Sequence, residues 1–171
     1  MRKASITLGL LAACVFGVSL GWAQPHDDKE RAELMKAIKD AKVSLAQGVT
    51  ASAKEGKPIS GKYEVEDGHL QLSVYTMKGD KFSEVIVDHK TGKVAKSEPI
   101  TKGDDLKYAQ EQSQAMAKAK RTLAAAASDA VKANAGYRAI SVMPSMKDDH
   151  PVAEVTLLKG TDWKTVSEKL D

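Results

Sequence analysis

The sequence predicts an α+β fold made of two small tandem units, each a helix packed on an antiparallel β-meander. Two alanine-rich stretches, near residues 45–54 and 123–135, each follow a hydroxyl residue of the kind that caps helices. Each stretch is followed by short segments in which apolar and polar residues alternate, separated by turns that contain glycine. A helix followed by alternating strands, occurring twice, indicates helices that cover one face of an antiparallel sheet.

The first 23 residues have the three-part pattern of a secretory signal peptide. Arg2 and Lys3 precede an uncharged apolar run over residues 4–22, and Gly21 and Ala23 are small residues at the positions that a signal peptidase reads. We therefore expect cleavage after Ala23 and an exported protein, periplasmic or secreted. The mature chain contains no second long apolar stretch, so the sequence predicts no transmembrane helix in it.

Cys14 offers a second interpretation of the leader. Residues 11–14 have the residue types of a bacterial lipobox, in which Cys14 would be lipidated and become the N-terminus. The apolar run continues beyond Cys14, where a lipoprotein normally becomes polar. Ordinary cleavage is therefore favoured, and a lipoprotein is the alternative.

Charge and cysteine content exclude some classes of function. The leader holds two of the 26 basic residues and none of the 23 acidic ones, so the remaining chain has a formal charge of +1. A chain this close to neutral, without a basic cluster rich in aromatic residues, is not expected to bind nucleic acid. Because Cys14 is the single cysteine, the mature chain has no disulfide and no thiolate chemistry.

Residues 24–41 are predicted to form an N-terminal helical segment. Leu34, Ile38, Ala41 and Leu45 keep helical spacing. This spacing predicts that the helix continues without a break into the first alanine-rich stretch.

The first unit is assigned to residues 42–100. After its helix, residues 61–66 and 70–74 flank Asp67-Gly68, the strongest short signal for a β-hairpin. A second reversal at residues 78–81 leads to another strand at 85–87. Proline and glycine in residues 97–103 then separate this unit from the next one.

Residues 101–171 are predicted to repeat the pattern in a degenerate form. Leu72, Val74 and Phe82 of the first unit correspond to Ala153, Val155 and Trp163 of the second. The sequence ends at Asp171, near the point where the equivalent of the Asp-x-x-Thr-Gly turn would begin. We therefore expect an exposed strand edge at residues 152–158, to which a strand of another protein can add.

The tripeptide Lys90-Thr91-Gly92 has two interpretations. It matches a catalytic box of penicillin-binding enzymes and β-lactamases, but the Ser-x-x-Lys and Ser-Asp-Asn elements that work with this box are absent from the sequence. A strand followed by Asp88, Thr91 and Gly92 is instead typical of a tight turn, in which Asp88 accepts backbone N–H bonds and Gly92 adopts a positive φ. We therefore predict that Asp88, Thr91 and Gly92 form a structural turn.

Residues 42–97 resemble the PepSY domain. The resemblance is carried by GKYEV at 61–65, LSVY at 72–75 and FSEVIVDHKTGKV at 82–94, after a helix opened by Ser44. The family's most recognisable feature is a strand that ends in Val-Asp-x-x-Thr-Gly-x-Val. The resemblance implies a small secreted or membrane-attached module without catalytic residues, which restrains or chaperones the peptidase in propeptides of thermolysin-type metallopeptidases. The second half matches only in its helix, middle strands and Gly-x-x-Trp turn.

Two local clusters are candidate metal ligands. They are His26, Asp27 and Asp28, and Asp148, Asp149 and His150. The first cluster also suits a helix start, where acids meet the positive end of the helix dipole, and the second suits a polar loop before Pro151. No histidine pair has metal-binding helical spacing, and no cofactor is predicted.

These observations favour a non-catalytic exported module that binds or restrains another envelope protein through a sheet edge or an inter-repeat groove. The resemblance to PepSY makes a peptidase one such partner. The alternative is an envelope protein that binds or senses a small ligand or a divalent metal ion. No nucleophile with an adjacent base and no phosphate-binding loop occurs in the sequence, so no enzymatic activity is predicted.

Overall fold

The computed structural model describes residues 28–171, so the predicted leader lies outside the described residues. Helix α1 spans Asp28–Ala37 and is followed by a 3₁₀ helix at Ile38–Asp40, while α2 spans Leu45–Ser52, α3 Gly103–Lys118 and α4 Leu123–Ala133. The strands are β1 Lys57–Glu66, β2 His69–Lys78, β3 Lys81–Val87, β4 Val94–Ile100, β5 Arg138–Lys147, β6 His150–Lys159 and β7 Asp162–Lys169.

All seven strands form one antiparallel sheet, in the order β4-β3-β2-β1-β5-β6-β7. The predicted α+β class, with helices packed on antiparallel strands, is confirmed. The two halves share this sheet, because the first strand of each half, β1 and β5, pair at its centre. Each half continues outward from the central pair as a meander.

The strands of the two halves occupy equivalent places. β1, β2 and β3 begin at residues 57, 69 and 81, and β5, β6 and β7 begin at 138, 150 and 162, a constant offset of 81 residues. The β1–β2 and β5–β6 ladders shift register at equivalent points, around Ile59 and Ile140. Gly61 and Val142, which are equivalent positions, lie opposite each other. An approximate two-fold axis between these two residues therefore relates the halves.

Helices α2 and α4 begin at the hydroxyl residues that the sequence indicated. Ser44 Oγ accepts a bond from Gln47 N at 3.2 Å, and Gln47 Oε1 accepts one from Ser44 N at 2.8 Å, which completes a capping box. Thr122 Oγ1 accepts a bond from Ala125 N at 3.2 Å. The two helices start at residues 45 and 123, an offset of 78.

The prediction of one continuous helix through residues 34–45 is wrong. The chain is extended at Ala41 and Ser44, with ψ of 123° and 158°. The N–H groups of Lys42 and Val43 donate to His89 O, at 2.9 and 3.0 Å, and make no helical bonds. Helical spacing of apolar residues could not reveal this break, because both segments bury those residues.

The two faces of the sheet contact different helices. Gly61 faces α2, since a Cβ built on it would lie 2.9 Å from Val49 Cγ2 and 3.7 Å from Leu45 Cδ1, and we call this side the first face. Val74 is paired with Gly61 and points to the same face. Neighbouring residues of a strand point to opposite faces, so Tyr75 points to the other side, which we call the second face. There Tyr75 Oη donates to Asp105 of α3 at 2.8 Å.

The main core lies on the first face, between the sheet and helices α2 and α4. Its fully buried side chains include Leu45, Val49, Leu72, Val74, Val85, Leu123, Val142, Val155 and Leu157. Removal of this apolar surface from water is the main force that holds the helices on the sheet.

The expected free edge at residues 152–158 is wrong. These residues belong to β6, which pairs with β5 on one side and with β7 on the other. Within residues 28–171, the sheet instead ends at β4 on one side and at β7 on the other.

Candidate functional site

The junction between the two halves is short. β1 and β5 are paired only at Gly61↔Val142 and Lys62↔Ser141. Both strands extend beyond these pairs, so they diverge on each side of the junction. Divergence of two neighbouring strands leaves space that other elements can fill. Here α1 contacts β1, and α3 contacts both β1 and β5.

Two equivalent cations fasten α1 and α3 at this junction. Lys57 Nζ, at the start of β1, donates to Met116 O of α3 at 2.7 Å. Arg138, at the start of β5, donates to Ile38 O and, at 3.0 Å, to Ala41 O, which lie just after α1. Residues 57 and 138 differ by the strand offset of 81, and residues 38 and 116 by the helix offset of 78. Charge-assisted bonds to the carbonyls at the end of a helix are favourable.

A cleft of about 230 Å³ lies where β1 and β5 diverge, beside α1. We call it the inter-repeat cleft. It is lined by Glu30, Glu33 and Leu34 of α1, by Lys62, Tyr63, Glu64 and Val65 of β1, and by Ile140, Ser141 and Met143 of β5. Its lining thus comes from both halves of the molecule.

The β1 side of the cleft belongs to a polar network on the second face. Lys62 Nζ lies 2.5 Å from Glu64 Oε2, and Glu64 Oε1 accepts a bond from Ser73 Oγ at 2.7 Å. Ser73 is fully buried and also accepts from Gln71 Nε2 at 3.0 Å, which in turn donates to Glu66 at 2.9 Å. These bonds hold the Glu64 carboxylate in a fixed position at the cleft wall.

The network extends to β3 and β4. Burial raises the pKa of Glu84 above its ordinary value, the hydrogen bond to Ser73 acts in the opposite direction, and the charge of Glu64 raises the pKa further. Glu84 lies opposite Glu98 of β4, whose Oε2 is 2.8 Å from Lys96 Nζ. Carboxylates therefore outnumber cations on this part of the second face.

The lining of the cleft suits a positively charged group. The lining residues include three carboxylates, from Glu30, Glu33 and Glu64, and one cation, Lys62. Glu33 also lies 4.0 Å from the exposed Lys29 Nζ, outside the lining. Charge-assisted hydrogen bonds to carboxylates are shorter and stronger than neutral ones, especially in a partly enclosed site. The apolar lining residues Leu34, Val65, Ile140 and Met143 can contact the alkyl part of such a group.

The sequence analysis predicted an inter-repeat groove but none of the residues that line it, although a signal for them was present. Polar residues occupy alternate positions at Lys62 and Glu64 in β1, at Gln71 and Ser73 in β2, and at Glu84 in β3. Such alternation indicates a polar sheet face. It does not indicate that α1 lies against that face.

The candidate metal ligands at residues 148–150 lie in a hairpin. Asp148 and Asp149 form the two-residue turn between β5 and β6, with φ of 49° and 64°. His150 Nδ1 lies 2.5 Å from Asp171 Oδ2, and this hydrogen bond lowers the pKa of Asp171. Within residues 28–171, no group of three or more His, Cys, Asp or Glu side chains is arranged to hold a metal ion.

The other predicted site residues at the N-terminus lie mostly outside the described chain. Asp28 is the first residue of α1, where its carboxylate interacts favourably with the positive end of the helix dipole. His26, Asp27 and the lipidation candidate Cys14 lie outside the described residues.

The predicted turn at residues 88–92 is held by its own hydrogen bonds. Asp88 Oδ1 accepts from Lys90 N at 2.9 Å, from Thr91 N at 2.7 Å and from Thr91 Oγ1 at 2.9 Å. These bonds lower the pKa of Asp88. Gly92 has a φ of 75° and donates to Asp88 O at 2.8 Å. Local bonding thus accounts for the conformation of all three predicted turn residues.

A pair of equivalent backbone contacts, which sequence reasoning missed, joins the start of α2 to the residues after β3 and the start of α4 to the residues after β7. His89 O accepts from the backbone N–H groups just before α2, as described above. Leu170 O accepts from Lys120 N at 2.6 Å and Arg121 N at 3.0 Å, just before α4. Residues 89 and 170 differ by 81, so the similarity of the halves extends to the end of β7.

Comparisons with known proteins give little further information. No family model and no curated protein matches this chain. A crystal structure of "a putative lipoprotein" from Clostridium difficile 630 is similar with a TM-score of 0.44 and 14% sequence identity, over 81% of this chain and 91% of that one. None of the helices within residues 28–171 is both long and apolar enough to span a membrane.

Proposed function

We propose that this protein is a non-catalytic exported module that binds another envelope protein, and that the inter-repeat cleft receives a basic side chain of that partner. The observation that carries the proposal is the lining of the cleft, to which Glu30, Glu33 and Glu64 contribute three carboxylates and Lys62 one cation. Both halves of the chain are needed to form this lining.

The size of the cleft supports a side chain as its occupant. Its volume of about 230 Å³ is below the roughly 300–1,000 Å³ that is typical of sites for drug-sized ligands. A lysine or arginine side chain has an apolar stem and a charged end, which match the apolar and acidic parts of the lining.

The sequence supports the compartment and the partner class in this proposal. Export is supported by the signal-peptide pattern of residues 1–23, and lipidation of Cys14 would place the module at the membrane surface. The resemblance of residues 42–97 to PepSY makes an exported peptidase the first partner class to test.

A charge-neutral variant tests the proposal. Glu33→Gln together with Glu30→Gln removes two carboxylates from the cleft without a large change in shape. Glu111→Gln is the matched control, because Glu111 is the equivalent of Glu33 on α3, is exposed and does not line the cleft. A photo-crosslinking residue at position 143, in the cleft lining, captures the partner in cell-envelope preparations.

We expect position 143 to crosslink one or a few envelope proteins, with yield lost in the Glu30→Gln/Glu33→Gln variant and retained in Glu111→Gln. The proposal is rejected if crosslinking is absent, or if both variants reduce it equally. Calorimetry with lysine amide and with divalent ions distinguishes the alternative, since tight binding of either one alone would favour a small-ligand or metal-binding protein.

A further inference from the structure

The two edges of the sheet differ in their ability to pair with another strand. Within the described residues, β7 pairs with β6 alone, from Val152↔Lys169 to Lys159↔Asp162. Its equivalent in the first half, β3, is covered on its outer side by β4. β4 itself contains Pro99, which lacks an N–H group and interrupts the outer edge. β7 contains no proline, so its outer edge keeps its backbone N–H donors. Of its backbone acceptors, Lys169 O near the end of the strand already accepts a bond from Arg121 Nη1 at 2.7 Å.

The residues of β7 have a self-complementary order of charges. Val166 is at the centre of the strand, with Lys164 two residues before it and Glu168 two residues after it. Thr165 and Ser167, between them, are both small hydroxyl residues. If two copies of β7 lie antiparallel with Val166 opposite Val166, each Lys164 lies opposite a Glu168 of the other copy.

We propose that two copies of this chain pair through β7 to form a continuous fourteen-stranded sheet, with a two-fold axis at Val166. The β7 pair would make two Lys164–Glu168 contacts on the first face and two Thr165–Ser167 contacts on the second face. Opposite charges directly across two antiparallel strands stabilise the pair. The main-chain bonds along the strand provide the rest of the binding.

Symmetry excludes most other registers. A two-fold axis that relates antiparallel strands of one sheet is perpendicular to the sheet, and residues opposite each other point to the same face. One residue must therefore lie opposite the same residue of the other copy, and we name each register by that residue. An axis at Thr165 would place Asp162 opposite Glu168. An axis at Lys164 or at Glu168 would place like charges opposite each other, and one at Ser167 leaves Glu168 without an opposite charge. An axis at Trp163 would also place Asp162 opposite Lys164, but only residues 162–164 of β7 would then be paired. The register centred on Val166 is therefore the one in which opposite charges match and most of the strand is paired.

The contacts inside one copy permit this pairing. Lys164 Nζ donates to Asn134 Oδ1 at 2.6 Å, at the end of α4. An ammonium group has three donors, so Lys164 can keep this bond and also contact a carboxylate. Glu168 is half-buried and lies on the same face as Lys164, two strand repeats away. This surface is separate from the inter-repeat cleft, so the proposal does not rest on the proposed function.

Charge reversal provides a symmetric test by analytical ultracentrifugation of the chain without its leader. Lys164→Glu and Glu168→Lys each place like charges opposite each other at two points in the dimer. Each variant should raise the dimer dissociation constant by roughly tenfold or more. An equimolar mixture of the two variants again has opposite charges at both points, and so should recover the dimer. Lys96→Glu on β4, at the other edge, is the matched control and should sediment as wild type does.

Every outcome decides the proposal. A wild-type dimer that is weakened in both single variants and recovered in their mixture supports it. A wild type that is monomeric at millimolar concentration overturns it. A dimer that persists in both variants, or that is lost in Lys96→Glu, shows a different interface and also overturns it. Circular dichroism of each variant shows whether it is folded, and the recovery of the mixture cannot be explained by misfolding.

Discussion

Gly48 of α2 packs against Leu72 of β2, and the side chains at this contact differ in size from those at the equivalent contact in the second half. A Cβ built on Gly48 would lie 2.2 Å from Leu72 Cδ2 and 3.0 Å from its Cγ. Leu72 is fully buried, so its side chain has no free space to enter. By the helix offset of 78 and the strand offset of 81, the equivalent residues are Ala126 and Ala153. A small helix residue thus meets a large strand residue in one half, and two alanines occupy the same places in the other.

This arrangement predicts a strong coupling between the two sites. Gly48→Ala gains about 1 kcal/mol from helix propensity but forces a methyl group into a filled core, which costs about 1–3 kcal/mol. The net effect is a loss of up to about 2 kcal/mol. Leu72→Ala alone leaves a cavity and costs about 2–5 kcal/mol. In the double variant the clash is absent and the helix gain remains, so it should be more stable than the sum of the single effects by at least about 1 kcal/mol.

Urea unfolding of the four proteins measures this coupling. The free energies of unfolding of wild type, Gly48→Ala, Leu72→Ala and the double variant form one double-mutant cycle. Ala51→Gly, on the partly exposed side of α2, is the reference for helix propensity in this helix; Ala51 also packs against the core, so its loss sets an upper limit on that effect. Additive effects within about 0.3 kcal/mol would refute the reasoning, because they would mean that the two side chains do not compete for the same space.

Three further predictions concern single residues. Ser44→Ala removes the capping box of α2 and should lower the free energy of unfolding in urea by about 1 kcal/mol, while Ser44→Asp should retain most of it. Burial raises the pKa of Tyr63 to about 12, from 10.0, so the folded state favours the neutral phenol. This preference contributes to the free energy of unfolding in full below pH 10, and the contribution is lost between pH 10 and 12. Over that range the free energy of unfolding of wild type should fall by about 1 kcal/mol per pH unit more than that of Tyr63→Phe. A parallel pH dependence of the two proteins would contradict this. The pKa of Asp88 is lowered by bonds from Thr91 and Lys90, so its contribution is present above pH 4 and is lost as the pH falls through the folded pKa. Thermal unfolding of Asp88→Asn should therefore depend less on acid pH than that of wild type, and an unchanged dependence would argue against the turn bonds.

Local signals in the sequence were sufficient for much of the fold. The caps at Ser44 and Thr122, the turn at Asp67-Gly68 and the alternation in residues 70–74 each depend on residues close together in the chain. They predict helices, hairpins and their order. The break between α1 and α2 was missed because it depends on His89 O, which lies far away in sequence.

The residues that line the inter-repeat cleft and the position of the free edge could not be predicted, because alternation does not specify which strands become neighbours. The pairing of Gly61 with Val142 is determined by packing of both halves against shared helices, and that packing has no local pattern. The inter-repeat cleft follows from this pairing, and so does the position of α1. The edge was wrongly assigned to residues 152–158 because the last strand of the second half, β7, was not recognised as a full partner of β6.

The short β1–β5 ladder also has a consequence for the speed of folding. Five of the six ladders in the sheet join strands that follow each other along the chain, and they can close as hairpins. Gly61 and Val142 are far apart in the sequence. Bringing them together costs the entropy of closing a long loop before any stabilising bond can form. We expect this closure to limit the refolding rate. Stopped-flow refolding of Val142→Ala should therefore slow more, for the same loss of stability, than that of Val85→Ala in the β2–β3 hairpin.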